Sequence, residues 1–229
     1  MKIISAPHAT LRQVAHPVTK FDKRLAKFVE RLKKQLLLAK DPEGVGLAAP
    51  QVNKSWQIFI LRHTEHDYTE QHHTTPNWEE QNQIGQNQIE QNQIGQNREE
   101  HKPPKTKANN KLDQLTAFIN PKIIAHSQQK TLLKETEHFE GCLSVPKIYG
   151  PVPRWEWVEV TYQTLNKAGE IENKQEKYQG FLARVIQHEY DHLQGVLFTD
   201  HLLENNLPAY IIEKNEWVEL EDREILASF

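Results

Sequence analysis

The first regular pattern in the chain is that of an amphipathic helix. Asp22 can cap a helix that runs to about Lys40, where the sequence Asp-Pro-Glu-Gly at residues 41–44 ends it. Basic residues cover one face, and the apolar residues of the other face are spaced for burial: Leu25, Phe28, Val29, Leu32 and Leu36. Residues 1–20 have no clear period, and we expect an irregular arm that packs on another part of the fold.

Strand patterns follow the helix. Residues 56–61 and 115–121 are apolar runs that predict two buried strands, and Pro121 is expected to end the second. Because they flank one intervening segment, the two strands are candidates for direct pairing. Residues 131–139 are a further candidate strand.

A hairpin and a second helix are predicted near the end. Apolar and polar residues alternate over residues 158–162, and a turn leads into residues 170–178, which predicts a hairpin. Between Gly180 and Gly195 an apolar stripe at helical spacing predicts a late helix, and its members are Leu182, Val185, Ile186 and Leu193. Residues 196–198 resemble a short strand.

Together these elements indicate an α+β fold. We expect mixed or antiparallel sheets packed around the late helix, with an N-terminal helix and a C-terminal tail. The predicted domain covers residues 1–202. Residues 203–229 are assigned to an acidic tail, and the sequence from Leu202 to Phe229 is helix-prone and acidic at its end.

A low-complexity segment interrupts this domain. The pentapeptide Gln-Asn-Gln-Ile-Gly begins at residue 81 and recurs in exact or variant form at residues 86, 91 and 96. A period of five matches neither helix nor simple strand alternation. The segment also contains too few apolar residues for their burial to offset the entropy lost on ordering the chain. The sequence therefore predicts a disordered insertion over residues 64–113.

Composition limits the classes of protein that fit. The chain has 229 residues, a formal net charge of -3 and one cysteine, Cys142. No apolar run approaches membrane-spanning length, and residues 1–7 are too short and polar for a signal peptide. The near-neutral charge argues against nucleic-acid binding, and a single cysteine fits a reducing compartment. We expect a soluble, cytoplasmic protein that binds neither membranes nor nucleic acid directly.

The late helix carries a metal-binding pattern. His188, Glu189 and His192 form a His-Glu-x-x-His motif. Histidines four residues apart share a helix face and can bind one metal ion, and Glu189 can act as a general base there. Such a motif also arises by chance in a chain with 12 histidines. Two histidines leave a catalytic site one protein ligand short.

Two other segments can complete the site. Residues 44–51 form a loop of small residues that ends in Gln51, whose amide can donate a hydrogen bond; a tight turn between helix and strand is the alternative. Cys142 can supply a thiolate as the third ligand and leave a fourth position for water. The alternative for Cys142 is a small buried apolar residue.

In these segments the chain resembles the peptide deformylases. Gly-Val-Gly-Leu-Ala-Ala-Pro-Gln, Glu-Gly-Cys-Leu-Ser and His-Glu-Tyr-Asp-His look like the three motifs of that family, in order. The resemblance covers about residues 1–63 and 114–202. It implies hydrolysis of the N-formyl group from the initiator methionine of nascent chains, with release of formate. The repeat insertion is not part of the family pattern.

The resemblance also implies residue roles. Glu189 is the expected acid/base, and Gln51 and the backbone N–H of Leu143 are the expected oxyanion donors. Val45 and Gly46 are expected to bind the substrate backbone. The ion is expected to be Fe²⁺, with Zn²⁺, Ni²⁺ or Co²⁺ as substitutes and with oxygen sensitivity in the ferrous form. The expected metal ligands are Cys142, His188 and His192.

Less direct roles concern neighbours of the motifs and the partners. Asp191 is expected to anchor the helix against Arg154, for which an exposed strand position is the alternative. Glu140 is expected to accept backbone N–H groups of the cysteine loop. The expected partners are N-formylmethionyl nascent peptides. Some family members bind the ribosome through a basic C-terminal helix, but the acidic tail here argues against that route because rRNA phosphate would repel it.

Two other functions compete with this interpretation. In a zinc peptidase of the His-Glu-x-x-His type, a downstream residue such as His201 or Glu204 would be the third ligand instead of Cys142. A non-catalytic binding module is disfavoured because no ligand, base or oxyanion donor is missing. A purely structural zinc site is disfavoured because it normally closes the fourth position with another cysteine or histidine.

Overall fold

The structure is a computed structural model that describes residues 1–40, 43–63, 114–166 and 168–229. The predicted insertion, residues 64–113, and the helix stop at residues 41–42 lie outside these ranges. The domain limit at residue 202 stays a prediction. None of the helices within the described ranges is long and apolar enough to cross a membrane.

The described residues form an α+β fold, as predicted. The α-helices are α1 (Lys23–Leu38), α2 (Gly180–Leu193), α3 (Phe198–Glu204) and α4 (Glu224–Ala227). The strands are β1 (Gly46–Ala48), β2 (Ile58–Arg62), β3 (Leu115–His126), β4 (Lys130–Thr131), β5 (Glu140–Cys142), β6 (Val145–Gly150), β7 (Arg154–Trp155), β8 (Trp157–Leu165), β9 (Ile171–Gln179), β10 (Tyr210–Glu213) and β11 (Glu216–Glu219).

A five-stranded antiparallel sheet forms the centre, with the order β1-β2-β3-β8-β9. Successive side chains of a strand point to opposite faces, and both faces of this sheet are apolar. Phe59 and Phe118 lie on the face that packs against α2. Ile58 and Ile60 lie on the other face, against α1. The sheet is therefore enclosed between the two predicted helices, and the predicted pairing of β2 with β3 is confirmed.

The N-terminal helix and arm form as predicted. The Asp22 carboxylate caps α1 by accepting hydrogen bonds from the N–H groups of Arg24 and Leu25 at 2.8 and 3.1 Å. The arm reaches the loops that carry the candidate site. Ile4 N–H donates to the Gln51 carbonyl, and Ala6 N–H donates to the Ser144 carbonyl, both at 2.8 Å. The arm therefore connects the glutamine loop to the cysteine loop.

The helix-prone character of the tail is a wrong prediction. Strands β10 and β11 form a hairpin in the tail, which extends a second antiparallel sheet in the order β11-β10-β6-β5. Its turn contains Lys214 and Asn215, whose φ angles are 48° and 70°. Two successive positive φ angles suit the tight turn of a hairpin and exclude a helix. Within this tail, α-helix is limited to the last two residues of α3 and the four residues of α4.

Three further strand predictions need correction. β3 continues past Pro121 because register shifts at this point let β3 leave β2 and pair with β8, and proline is tolerated at such irregularities. Of the predicted strand at residues 131–139, only Thr131 is in a strand, and residues 136–138 form a 3-10 helix. Residues 196–198 form no strand: residues 196 and 197 precede α3, Phe198 begins it, and Asp200 caps it by accepting from the Leu197 N–H.

Candidate functional site

Three possible metal-binding side chains meet where α2 passes β5. Cys142 ends β5, and His188 and His192 lie one helical turn apart on α2. Their donor atoms all lie within 4.8 Å of one another. The Cys142 Sγ and His192 Nε2 atoms are 3.2 Å apart. Cys142 and His192 are buried, and the His188 side chain is 11% exposed. The structure therefore brings together the three predicted ligands.

The predicted glutamine also reaches this cluster. Gln51 lies in the 3-10 helix after β1, and its Oε1 accepts a hydrogen bond from Ala48 N–H at 2.8 Å. This contact fixes the orientation of the amide. The Nε2 group donates to Cys142 Sγ at 3.5 Å and to Ser144 Oγ at 3.3 Å. Ser144 N–H also points at the sulfur, at 3.4 Å. Ser144 is a contact that the sequence analysis missed.

The Glu189 side chain projects from α2 and packs against Gly46 of β1. The side chain is buried, and its Oε2 atom has no hydrogen-bond partner among the described residues. A Cβ atom at Gly46 would overlap the Glu189 carboxylate. Residue 46 must therefore be glycine for the backbone to approach the carboxylate this closely. An unpaired buried carboxylate oxygen beside the three candidate ligands is available to exchange a proton with a bound molecule.

The charge of the cluster is set by its neighbours. Burial alone would raise the pKa of the Cys142 thiol, but the adjacent His192 and His188 hold it well below its usual range. Burial raises the pKa of Glu189 to about 7. The sulfur is therefore disposed to be a thiolate, which is the form that binds metal. Glu189 can gain or lose a proton near neutral pH, as acid/base catalysis requires.

A buried ion network supports the cluster from behind. Arg154, whose side chain is 3% exposed, donates to both oxygens of Glu140 at 2.9 Å and to Asp191 Oδ2 at 2.5 Å. The predicted contact of Asp191 with Arg154 is confirmed, and the exposed alternative for Arg154 is wrong. Glu140 accepts from Arg154 and from His188 Nδ1, at 3.1 Å, instead of from the backbone of its own loop.

The Glu140 contact orients His188. A carboxylate accepts only, so Nδ1 of His188 carries the proton and Nε2 is left to bind metal. A second contact, which the sequence analysis missed, holds α2 in place. The buried Gln187 side chain accepts from Trp155 N–H and donates to the Trp155 carbonyl, both at 2.9 Å. This contact fixes the rotation of α2 relative to β7.

The ligands of the competing zinc-peptidase model are not at the cluster. His201 Nε2 lies 2.8 Å from Asp191 Oδ2, and the Glu204 side chain is 72% exposed. Among the described residues, the group of side chains able to hold a metal consists of Cys142, His188 and His192. The described geometry therefore favours Cys142 over His201 or Glu204 as the third ligand.

A pocket of about 300 Å³ opens beside the cluster. The predicted residues Val45, Gly46 and Leu143 line it, together with Gln51 and Glu189. The rest of the lining includes aromatic and apolar side chains, and these are Phe139, Tyr149, Phe181 and Val185. The pocket is thus large enough for a side chain and part of a peptide backbone next to the reactive groups.

An α+β domain with a thiolate, two imidazoles and a buried carboxylate around one pocket has the composition of a metallohydrolase.

The family model for polypeptide deformylase matches residues 1–207 of the chain. A peptide deformylase from Novosphingobium aromaticivorans is 32% identical over 93% of this chain and 95% of its own length. Peptide deformylase 2 from a Nostoc species is 33% identical over 96% and 94%, respectively.

Solved structures agree with the sequence comparisons. A Plasmodium falciparum peptide deformylase matches with a TM-score of 0.58 and 28% identity, covering 87% of this chain and 85% of that one. A Thermotoga maritima peptide deformylase matches with a TM-score of 0.55 and 30% identity, covering 87% and 95%. The chain belongs to the polypeptide deformylase family. It is a metal-dependent hydrolase that removes the N-formyl group from nascent peptides.

Proposed function

We propose that Cys142, His188 and His192 hold Fe²⁺, and that Zn²⁺, Ni²⁺ or Co²⁺ can replace it. The observation that carries this proposal is the set of donor atoms within 4.8 Å of one another beside a buried carboxylate. Thiolate and imidazole are suitable ligands for these divalent ions, and the protonated Nδ1 of His188 leaves its other ring nitrogen free. The donor set therefore fits the ion that the family uses.

The residues around the ion have separate tasks in the proposed mechanism. The bound ion supplies a Lewis acid that favours ionisation of water and polarises the formyl carbonyl. Glu189 Oε2 accepts the proton of the attacking water and later delivers it to the amine nitrogen that leaves. Water adds to the formyl carbon, the C–N bond breaks, and formate and a free amino terminus are the products. The buried, unpaired Oε2 atom supports this role.

Two donors are proposed to stabilise charge on the formyl oxygen. Gln51 is held by Ala48, so its amide N–H points towards the metal-binding atoms. Leu143 directly follows the cysteine ligand and lines the pocket, where its backbone N–H is the second donor. Loss of one such donor costs about 3–4 kcal/mol of transition-state stabilisation in a well-studied hydrolase. Val45 and Gly46 are proposed to bind the backbone of the peptide.

The proposed substrates are N-formylmethionyl peptides, and the proposed location is the cytoplasm. A lone cysteine fits a reducing compartment, and a thiolate-bound ferrous ion is protected from oxidation there. Phe181 and Val185, the apolar side chains that α2 contributes to the pocket, support an apolar first residue such as methionine. Ribosome binding through a basic C-terminal helix is not proposed, because the tail contains a hairpin and an acidic end.

The ligand assignment is tested by Cys142→Ser. We expect the variant purified under anaerobic conditions to bind its metal more than about 100-fold more weakly, which exceeds the usual effect of losing an outer partner. Metal content and affinity are measured by competition with a chelator. The matched control is Ser144→Ala, which removes a hydroxyl next to the sulfur but no ligand. Full metal retention by Cys142→Ser would instead support a site without the cysteine.

The close approach of β1 to Glu189 is tested by Gly46→Ala. The added methyl group would displace the carboxylate, and a misplacement of about 1 Å can cost about 100-fold in rate. We expect kcat for formate release to fall by roughly that factor with unchanged metal content. Gly169→Ala is the control, because a Cβ there meets no atom within 4 Å. The control should lose about 1 kcal/mol of stability, from its φ of 82°, and retain its kcat.

A further inference from the structure

An aromatic cluster connects the C-terminal hairpin to the wall of the pocket. The cluster consists of Phe139, Tyr149, Tyr210 and Trp217. The Phe139 and Tyr210 rings are stacked with their centroids 4.9 Å apart. The Trp217 ring stands nearly perpendicular to Phe139 and to Tyr149, with centroid distances of 5.5 and 5.3 Å. Aromatic pairs at such distances are stabilised beyond the area that they bury.

The strand register explains why these rings meet. Tyr210 on β10 is paired with Tyr149 on β6, and Trp217 on β11 is paired with Ile212, two residues from Tyr210. Directly paired residues, and residues two apart, project from the same face of a sheet. Tyr149 is also paired with Gly141, where a Cβ atom would lie 2.7 Å from the tyrosine ring. The cluster therefore extends across the second sheet to the residue before the cysteine ligand.

The cluster has an inner and an outer half. Phe139 and Tyr149 line the pocket beside the candidate metal ligands. Tyr210 and Trp217 do not line the pocket, and Trp217 is 38% exposed on the outer side. Because Trp217 contacts both lining rings, it restrains their positions from behind. The tail is thus mechanically connected to the surface that a bound peptide meets.

The position of the inner rings indicates which part of the peptide they meet. Phe139 precedes the cysteine ligand by three residues, or about 10 Å along an extended chain. An extended peptide with its formyl group at the metal covers that distance in two to three residues. For a peptide that lies alongside β5, Phe139 is therefore placed to contact side chains that follow the formylated residue, and Tyr149 is joined to Phe139 through Trp217.

We propose that Trp217 is a positioning residue for substrate selection. Through Phe139 and Tyr149, it holds an aromatic wall that receives an apolar or aromatic side chain at the second or third residue of the peptide. This inference rests on the deformylase mechanism proposed above and adds a preferred substrate class to it. Formyl peptides with polar second and third residues gain nothing from the wall.

The test compares two substrates, formyl-Met-Leu-Phe and formyl-Met-Ser-Ser, by measuring kcat and KM for formate release. In Trp217→Gln we expect KM for the apolar peptide to rise about five- to tenfold, which is the lower end of the range expected for the loss of two aromatic pairs. Its kcat should stay unchanged, and KM for the polar peptide should change less than twofold. Trp217→Phe keeps a ring and should restore the wild-type preference.

Val218→Gln is the matched control, because Val218 is next in β11, is 39% exposed and projects from the opposite face. It should leave both KM values unchanged. Equal KM changes for the two peptides in a folded Trp217→Gln variant, or none at all, would overturn the proposal. If that variant does not fold, Trp217→Leu is measured instead, and an unchanged preference there is equally decisive against it. Lack of formate release by the wild-type enzyme would overturn the proposed mechanism rather than this inference.

Discussion

Replacing Glu189 with glutamine should lower kcat for formate release by about 10²–10⁴-fold, the range that general acid–base catalysis usually contributes. Glutamine has nearly the same shape as glutamate but cannot accept the proton of the attacking water. Since Glu189 is proposed not to bind the ion, the metal content of the variant should equal that of the wild type. Formate release and metal content are measured on the same anaerobic preparation.

The pH profile gives a second signature of the same group. Glu189 must be deprotonated to act as the base. The kcat should therefore rise with pH along an acidic limb whose apparent pKa is at or below about 7. A bound cation shifts this limb to lower pH because it favours the carboxylate. The limb should be absent in Glu189→Gln. Glu172→Gln on β9 is the control, because it makes the same substitution and removes the same charge. It should leave kcat unchanged. A fully metallated Glu189→Gln enzyme within tenfold of the wild-type rate would contradict this role.

Replacing Arg154 with methionine should be the most destabilising single change near the site. The substitution leaves the carboxylates of Glu140 and Asp191 buried without their shared cation. Breaking a buried ion network in this way costs about 3–5 kcal/mol. The free energy of unfolding is measured by urea denaturation of the metal-loaded enzyme. Metal affinity should also fall, by about 10- to 100-fold, because Glu140 orients His188.

Arg12→Met is a matched control for the loss of a paired arginine. Arg12 also binds a carboxylate through two nitrogens, that of Asp200, but its side chain is 33% exposed. Its loss should cost no more than about 1 kcal/mol. If Arg154→Met and Arg12→Met were equally mild, the buried network would not contribute to stability in the way proposed.

The pH dependence of the free energy of unfolding should differ between the wild type and Arg154→Met. Burial opposes ionisation of Glu140 and Asp191, but the charge of Arg154 holds both pKa values below their ordinary range. In the wild type their contribution is complete above the unfolded-state pKa of about 4 and is lost as the pH falls below it. Without Arg154, burial raises these pKa values, so Arg154→Met should become less destabilised as the pH falls from 7 to 5.

The candidate metal ligands were predictable because their signal is local. His188 and His192 are one helical turn apart, and the apolar stripe of α2 determines which face of the helix is buried. Cys142 is the only cysteine, so its identity as the candidate third ligand followed without knowledge of the fold. Asp22 as the cap of α1 is a local signal of the same kind.

The contacts that the sequence did not reveal join distant residues. Gln187 binds the backbone of Trp155, and Ser144 completes the surroundings of the sulfur together with Gln51. No spacing rule connects these positions, because the antiparallel sheets bring them together. Glu140 was assigned to the wrong partner for the same reason, since Arg154 reaches it across the fold.

The tail shows how a turn outweighs a residue's helix preference. Residues of high helix propensity are frequent after residue 202, and they suggested a helix. The positive φ angles of Lys214 and Asn215 instead close a hairpin, whose first strand extends the second sheet from β6. Asparagine in a two-residue turn was the available signal. Pairing with an existing sheet edge supplied the stability that propensity alone could not predict.

The most direct test of the account is formate release from a formyl-methionyl peptide by anaerobically purified enzyme with its metal quantified. We expect about one divalent ion per chain, with iron present, and formate released in step with new amino termini. Bound metal that is lost on Cys142→Ser would confirm the site by itself. Metal bound through Cys142 without formate release would contradict the central claim that this cluster performs deformylation.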